Sequence, residues 1–201
     1  MIKVIIFDSD GMITNGPRFS VILSQKFNIP LEKILPFFNG PFKNCLIGKA
    51  DLKEELQKGW LKKWGWNGSV DDFLKLWFSI GKEIDNNVYQ SISRIKKKGI
   101  ICALATNQEK YRTEHLSKRF NYNALFDKIF SSAYVGSKKP SVEFFTEIFE
   151  CFKEKDANIK KDEIIFWDDD QKNINGAKEF GFHAEIFTDY NSYWNKMKKL
   201  I

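Results

Sequence analysis

The sequence predicts an α/β protein, a doubly wound parallel sheet carrying an inserted all-helical segment. Three observations lead there. Four short apolar runs, Val4 to Phe7, Ile100 to Ala105, Ile164 to Trp167 and His183 to Phe187, lack the alternation of half-exposed strands and read as buried parallel ones. Helical patterns stand between these runs. Residues 15–82 break the rhythm with almost no strand-like period, and so read as helices inserted after the first strand.

The first strand ends in Asp8-Ser9-Asp10-Gly11. On an extended chain residues i and i+2 point the same way, so both carboxylates are expected to face one pocket, and the glycine lets the backbone turn away. Like charges so close call for a cation or a shared proton. In the insert, helices are expected around Phe19 to Phe27, Leu31 to Phe38, Asp51 to Leu61 and Val70 to Ile80, with Pro17, Pro30, Gly40-Pro41, Gly65 and Gly68 as punctuation. Leaving the sheet beside the acids, these helices are placed to act as a lid. The expected division is a core of 1–14 and 83–201 with a cap of 15–82.

Beyond the insert, Val88, Ile92 and Ile95 repeat at helical spacing through Val88 to Lys98, which Gly99 stops. A second helix begins at Ser141 or Val142, after Pro140, and carries Phe145, Ile148, Phe149 and Phe152 as an apolar stripe. A third, Asn173 to Phe180, places Ile174, Ala177 and Phe180 on one face and ends at Gly181.

Composition narrows the class. The chain has 201 residues, 43% of them hydrophobic, enough for a substantial core and against global disorder. Its net charge of +6 comes from lysines scattered beside acids or at element ends, which favours anionic substrates slightly and gives no dedicated nucleic-acid face. Cys45, Cys102 and Cys151 lack CxxC spacing and suit reduced, cytoplasmic surroundings. The first apolar run is too short for a signal peptide and no run reaches the length of a membrane span. A monomer or weak dimer is expected.

Four stretches put reactive groups at predicted strand ends: Asp8 with Asp10, Thr106-Asn107, Lys138-Lys139-Pro140 just before a helix, and Asp168-Asp169-Asp170. Strand ends of a parallel sheet converge on one edge, so these groups can meet. Hydroxyl and amide suit an oxyanion, and an ammonium balances charge. Acid clusters with only two histidines in the chain favour a hard cation, Mg²⁺ rather than zinc. Each stretch has a plain alternative: a turn for Asp8 to Gly11, a helix N-cap for Thr106-Asn107, a surface lysine for Lys139, and a helix-dipole partner for Asp168 to Asp170. Gly48-Lys49 precedes Ala50 and is no P-loop.

In their order, Phe7-Asp8-Ser9-Asp10-Gly11, Thr106-Asn107, Lys139-Pro140 and Asp168-Asp169 with Asn173 and Gly176-Ala177, these motifs resemble those of the haloacid dehalogenase superfamily. The resemblance covers the whole chain and is to the phosphatases and phosphomutases with a helical cap after the first strand of a Rossmann-like core. Met12, where the family more often has Thr or Val, and the third acid Asp170 depart from the pattern.

The resemblance implies that Asp8 is the nucleophile forming an aspartyl-phosphate, and that Asp10 protonates the leaving oxygen and later activates water. It implies Mg²⁺ held by Asp8, the Asp10 carbonyl and Asp169, with Asp168 bound directly or one layer behind. Thr106, Asn107 and Lys139, with Lys138 as the rival lysine, would grip the phosphoryl group. The substrate implied is a small phosphomonoester, with a lean toward sugar phosphates. A phosphomutase would use the same residues, and a phospho-acceptor signalling module shares the acid, Thr and Lys set. A 2-haloacid dehalogenase generally lacks an acid at the position of Asp10. Specificity is expected in the cap, where Phe37, Phe38, Phe42, Lys43 and Lys49 form either a specificity loop or packing between helices.

Overall fold

The computed structural model describes residues 1–80 and 83–201, so the last two positions of the expected cap, Gly81 and Lys82, lie outside the described residues. The described residues form seven strands: β1 (Val4–Phe7), β2 (Thr14–Asn15), β3 (Glu83–Ile84), β4 (Ile101–Thr106), β5 (Lys128–Ser131), β6 (Ile164–Asp168) and β7 (His183–Ile186). Five form one sheet in the order β5-β4-β1-β6-β7, all pairs parallel. Numbered along the chain within that sheet, the order is 3-2-1-4-5, the doubly wound arrangement, whose reversal falls beside β1. The short β2 and β3 pair antiparallel where the chain leaves the sheet for the insert and returns.

Alternation along each strand divides the core in two. Ile5, Phe7, Cys102, Leu104, Ile165 and Trp167 face one side, against Val88, Ile92, Ile95, Tyr193 and Met197. Val4, Ile6, Ala103, Ala105, Ile164 and Phe166 face the other, against Phe144, Phe145, Ile148, Phe152, Ile174 and Ala177. With helices covering both faces, β1 and β6 at the centre are buried throughout, which is why they read as unbroken apolar runs. Met12 is fully buried among the first set, so the departure from the family pattern at this position is a packing residue.

The insert forms helices Phe19–Phe27, Leu31–Asn39, Phe42–Leu46, Leu52–Gln57, Trp60–Lys63 and Val70–Ser79 around a cluster of its own. The expected helix Asp51 to Leu61 is two: Asp51 caps the first through Lys53 and Glu54 N–H, and Gly59, at φ 103°, separates it from the second. The turn of helix at Phe42–Leu46 and strand β5 were not expected. β5 is an edge strand with Lys128 inside it, and its sequence lacks the unbroken apolar signal of the inner strands.

The insert is fastened to the core at several points. Tyr111 Oη donates to Asp51 at 2.7 Å, Lys110 pairs with Asp51 at 2.6 Å, and Ser132 Oγ donates to the Leu46 carbonyl at 2.5 Å. Among the described residues, no helix is long and apolar enough to cross a membrane.

Candidate active site

At the C-terminal end of β1, Asp8 N–H still bonds the Trp167 carbonyl of β6, so the first acid is held by the sheet itself. Gly11 then turns the chain at φ 92° and its N–H returns to the Thr14 carbonyl at 2.8 Å. A Cβ at Gly11 would lie 2.0 Å from Asp169 Oδ2, so the glycine is what lets the ends of β1 and β6 close on one another.

Lys139 is the hub. Its Nζ donates to Asp8 Oδ1 at 2.6 Å, to Asp168 Oδ2 at 2.6 Å and to the Ala105 carbonyl at 2.8 Å. It is 2% exposed and Asp168 is 0% exposed, so this is a buried ion triad and not a surface lysine. Burial pulls the Lys139 ammonium down, but the two carboxylates outweigh it and raise it above its ordinary value. Burial pushes the Asp8 carboxyl up to about 7, with Lys139 opposing and Asp168 adding to the rise. Asp169 is also raised, by burial and then by Asp168.

The loop carrying Lys139 is locked by Asn107. Its Nδ2 donates to the Lys139 carbonyl at 3.0 Å and its Oδ1 accepts from the Lys139 N–H at 2.9 Å. The Asn107 side chain, expected to grip phosphate, is thus committed to orienting the lysine, because the tertiary fold brings the two loops side by side. Gly176 completes the support: a Cβ there would meet the Pro140 carbonyl at 2.6 Å, so only glycine lets the helix Gln171–Phe180 press against this loop. Thr106 closes β4 and is buried, lining the pocket.

The three consecutive acids separate by role. Asp168 accepts from Asn173 Nδ2 on both oxygens at 3.0 Å and from Asp170 N–H at 2.8 Å, besides Lys139. Asp170 accepts from Lys172 N–H and caps the helix, so the extra acid of the motif is a helix cap. Asp169 is left facing Gly11 and the pocket. Asp8, Asp168 and Asp169 each offer an oxygen within 4.8 Å of the others. Three carboxylates against one ammonium leave two negative charges, which one divalent cation matches, and the donors are all hard oxygens, a set that fits Mg²⁺.

Asp10 has a different neighbourhood. Its Oδ1 accepts from Thr14 Oγ1 at 2.9 Å, its Oδ2 from Gln108 Nε2 at 2.8 Å, and both oxygens meet an Arg112 terminal nitrogen at 3.1 Å. Sequence reasoning misses Gln108 and Arg112; the available signal is their position after Thr106-Asn107, Gln108 just before the helix cap and Arg112 on the first turn of the helix.

Asp8, Asp10, Thr106, Asn107, Lys139 and Asp169 line one cavity of about 410 Å³ together with Gly16 and Arg18 at the root of the insert. Lys43 and Lys49 do not line it. Lys49 borders a separate polar cavity with Glu109 and Lys110, and Phe37, Phe38 and Phe42 pack on Trp64 and Trp77 inside the insert. Of the two alternatives for this stretch, Phe37, Phe38 and Phe42 take the packing one, since aromatic side chains in a helical layer find one another before they find solvent, while Lys43 and Lys49 are exposed.

A family model described as haloacid dehalogenase-like hydrolase matches residues 5–185. A HAD family enzyme of Bacteroides thetaiotaomicron, 22% identical, superposes with TM-score 0.80 over 96% of this chain and 98% of its own, and has also been solved with magnesium and inorganic phosphate. A predicted HAD-like hydrolase of Porphyromonas gingivalis, 21% identical, gives TM-score 0.79 over 100% and 98%. L-2-haloacid dehalogenase of Xanthobacter autotrophicus gives 0.63 at 16% identity over 92% and 76%. At these identities the likeness concerns the fold. Among curated proteins, drimenol cyclase drtB of Aspergillus calidoustus is 35% identical over 63 residues, 31% of this chain and only 11% of that protein's length. With the family model spanning the sheet from β1 to β7, the chain belongs to the haloacid dehalogenase-like hydrolases.

Proposed function

We propose that the protein is a Mg²⁺-dependent phosphatase that hydrolyses a small phosphomonoester, such as a sugar phosphate, through a phosphorylated Asp8. One observation carries the reading: two carboxylates on one turn face one small cavity in opposite settings. Asp8 is buried against Lys139 within an acid cluster, and Asp10 stands at the side among hydrogen-bond donors. Held beside the Lys139 ammonium and the acid cluster, Asp8 is placed to attack, and Asp10, two residues on and facing the same cavity, is placed to move protons.

In the first step an Asp8 carboxylate oxygen attacks phosphorus, a new P–O bond forms, and the ester oxygen leaves with its electron pair. Asp10 delivers the proton that makes it an alcohol. In the second step Asp10 takes a proton from water as the water oxygen attacks phosphorus, and the Asp8–phosphorus bond breaks to release phosphate. Lys139 counters charge at Asp8 throughout, and Thr106 and the Asn107 backbone offer donors to the phosphoryl oxygens. Asp8, Asp169 and the Asp10 carbonyl, with Asp168 beside or behind them, would hold Mg²⁺, which would supply charge neutralisation so that an anionic ester can approach. Asp10 also separates this reading from dehalogenation, in which no leaving oxygen needs a proton.

The inserted helices, about 15–82, serve as the cap over this cavity. The test is phosphate release from a panel of phosphomonoesters with Mg²⁺, where turnover is expected to stop on chelation and to fall to background in Asp8→Asn. Sustained turnover by Asp8→Asn would assign the chemistry to another nucleophile, and transfer of phosphate to a second sugar without release would make the protein a mutase.

A further inference from the structure

We infer that Arg112 is a positioning residue for Asp10, and that it carries the packing of the inserted helices to that carboxylate. The contact is a property of the structure; its kinetic consequence rests on the phosphatase reading.

The local sequence sets Arg112 in place. Glu109, 2% exposed, caps the helix Lys110–Arg119: its Oε2 accepts from Tyr111 N–H at 2.8 Å and its Oε1 from Arg112 N–H at 2.6 Å. Thr113 Oγ1 donates to the Glu109 carbonyl at 2.9 Å and also pairs with Ser131 Oγ at 2.7 Å, tying the helix start to the end of β5. A helix so fixed at its first turn delivers the Arg112 side chain in one direction, toward Asp10, which a terminal nitrogen meets at 3.1 Å on each oxygen. The neighbouring Gln108 holds Asp10 Oδ2 from the other side of the same cap.

Two further observations separate positioning from substrate binding. Among the described residues that line the cavity around Asp8, Gln108 is present and Arg112 is not. Arg112 instead borders a small void at the seam between insert and core, with Phe19, Trp77 and Phe78 on the insert side and Leu116 on its own helix. Its side chain is only 14% exposed. A guanidinium, weakly hydrated and flat, tolerates such an aromatic cover better than an ammonium does. Arg112 thus lies between Asp10 and a void that the aromatic side chains of the insert border. Thr14, which donates to Asp10 Oδ1 at 2.9 Å, belongs to β2 at the root of the insert, so a second contact to this carboxylate also comes from the junction.

A group that orients an acid without touching substrate acts on kcat and spares KM. Arg112→Ala is expected to lower kcat about 10- to 100-fold, with KM within about twofold of wild type, the loss a small misplacement of a reacting group produces. Arg112→Lys is expected to recover part of kcat, and guanidinium ion added to Arg112→Ala is expected to recover part as well. If Arg112→Ala does not fold by circular dichroism, Arg112→Lys carries the comparison, its kcat falling between wild type and background. Wild-type kcat in the folded variants, or a KM that rises in proportion to the loss, overturns the proposal. A wild-type protein that releases phosphate from no ester refutes the phosphatase reading instead. The positioning contact is then read from arginine side-chain NMR: Asp10→Asn must move the Arg112 Nη resonances, and unmoved resonances overturn it.

Discussion

Core and insert bury opposite things. Beneath the strand ends the core buries an ammonium and two carboxylates, Lys139, Asp8 and Asp168, each satisfied by named donors or acceptors. The insert buries rings. Phe19 stacks on Trp77 at 4.5 Å between centroids, Phe73 meets Phe19, Trp64, Trp66 and Trp77, and Phe37 sits among Phe38, Phe42, Trp60 and Trp64. The first arrangement is specified by charge and direction, so one missing partner strands the rest. The second is specified by volume and contact, so its losses scale with the atoms removed. Every acid of the candidate site is anchored to a strand end or the loop after it, while, among the described residues, the insert reaches the cavity only through residues at its root.

Three substitutions press on this difference. Lys139→Met should have the largest effect, costing about 3–5 kcal/mol because two buried carboxylates lose their counter-charge, and abolishing turnover as well. Urea unfolding measures the first and phosphate release the second. A loss under about 1 kcal/mol, the range of exposed pairs, would mean that the triad is solvated.

Phe73→Ala should also cost about 3–5 kcal/mol, through the cavity left among four rings. Here kcat of the folded molecules is expected to fall by no more than in Arg112→Ala, since Phe73 reaches Asp10 only through Phe19, Trp77 and Arg112. A collapse of kcat with little change in stability would show that the insert's rings shape the reacting geometry directly.

The smallest effect belongs to Glu109, between the two regions. Burial pushes its carboxyl up to about 7, against the pull of the Tyr111 and Arg112 N–H groups, from an ordinary value of 4.5. Between these values the folded protein binds more protons than the unfolded chain. The contribution of this group to stability is therefore full below pH 4.5 and is lost as the pH rises through about 7. The slope is at most about 1.4 kcal/mol per pH unit. Glu109→Gln should flatten that part of the stability profile, as urea unfolding on either side of the window will show. An unchanged slope would mean that Glu109 stays ionised and that the seam around it is wet.

Much of this was legible in the chain. Val4 to Phe7, Ile164 to Trp167 and the helix spacings around Val88 and Phe145 announced a two-sided sheet because burial on both faces demands unbroken apolar strands. β5 escaped notice because an edge strand with Lys128 in it carries no such demand. The helix around Asp51 was read as continuous because Gly59 marks a break only through its backbone angle. Within the candidate site, Asp8, Thr106, Lys139 and Asp169 come together as their positions at strand ends suggested, whereas the partners of Asp10 and the work of Asn107 were invisible.

The sequence by itself determined four strands of the main sheet, the helices around Val88, Phe145 and Ile174, and which strand ends bear acids, because backbone period and side-chain polarity are local. Tertiary structure alone decided that Asp170 caps a helix at the edge of the cavity, that the Asn107 side chain holds the Lys139 loop, and that Arg112 lies between the insert's rings and Asp10. Those outcomes depend on distances between segments far apart in the chain, and a buried charge takes whichever partner the packed elements bring within reach.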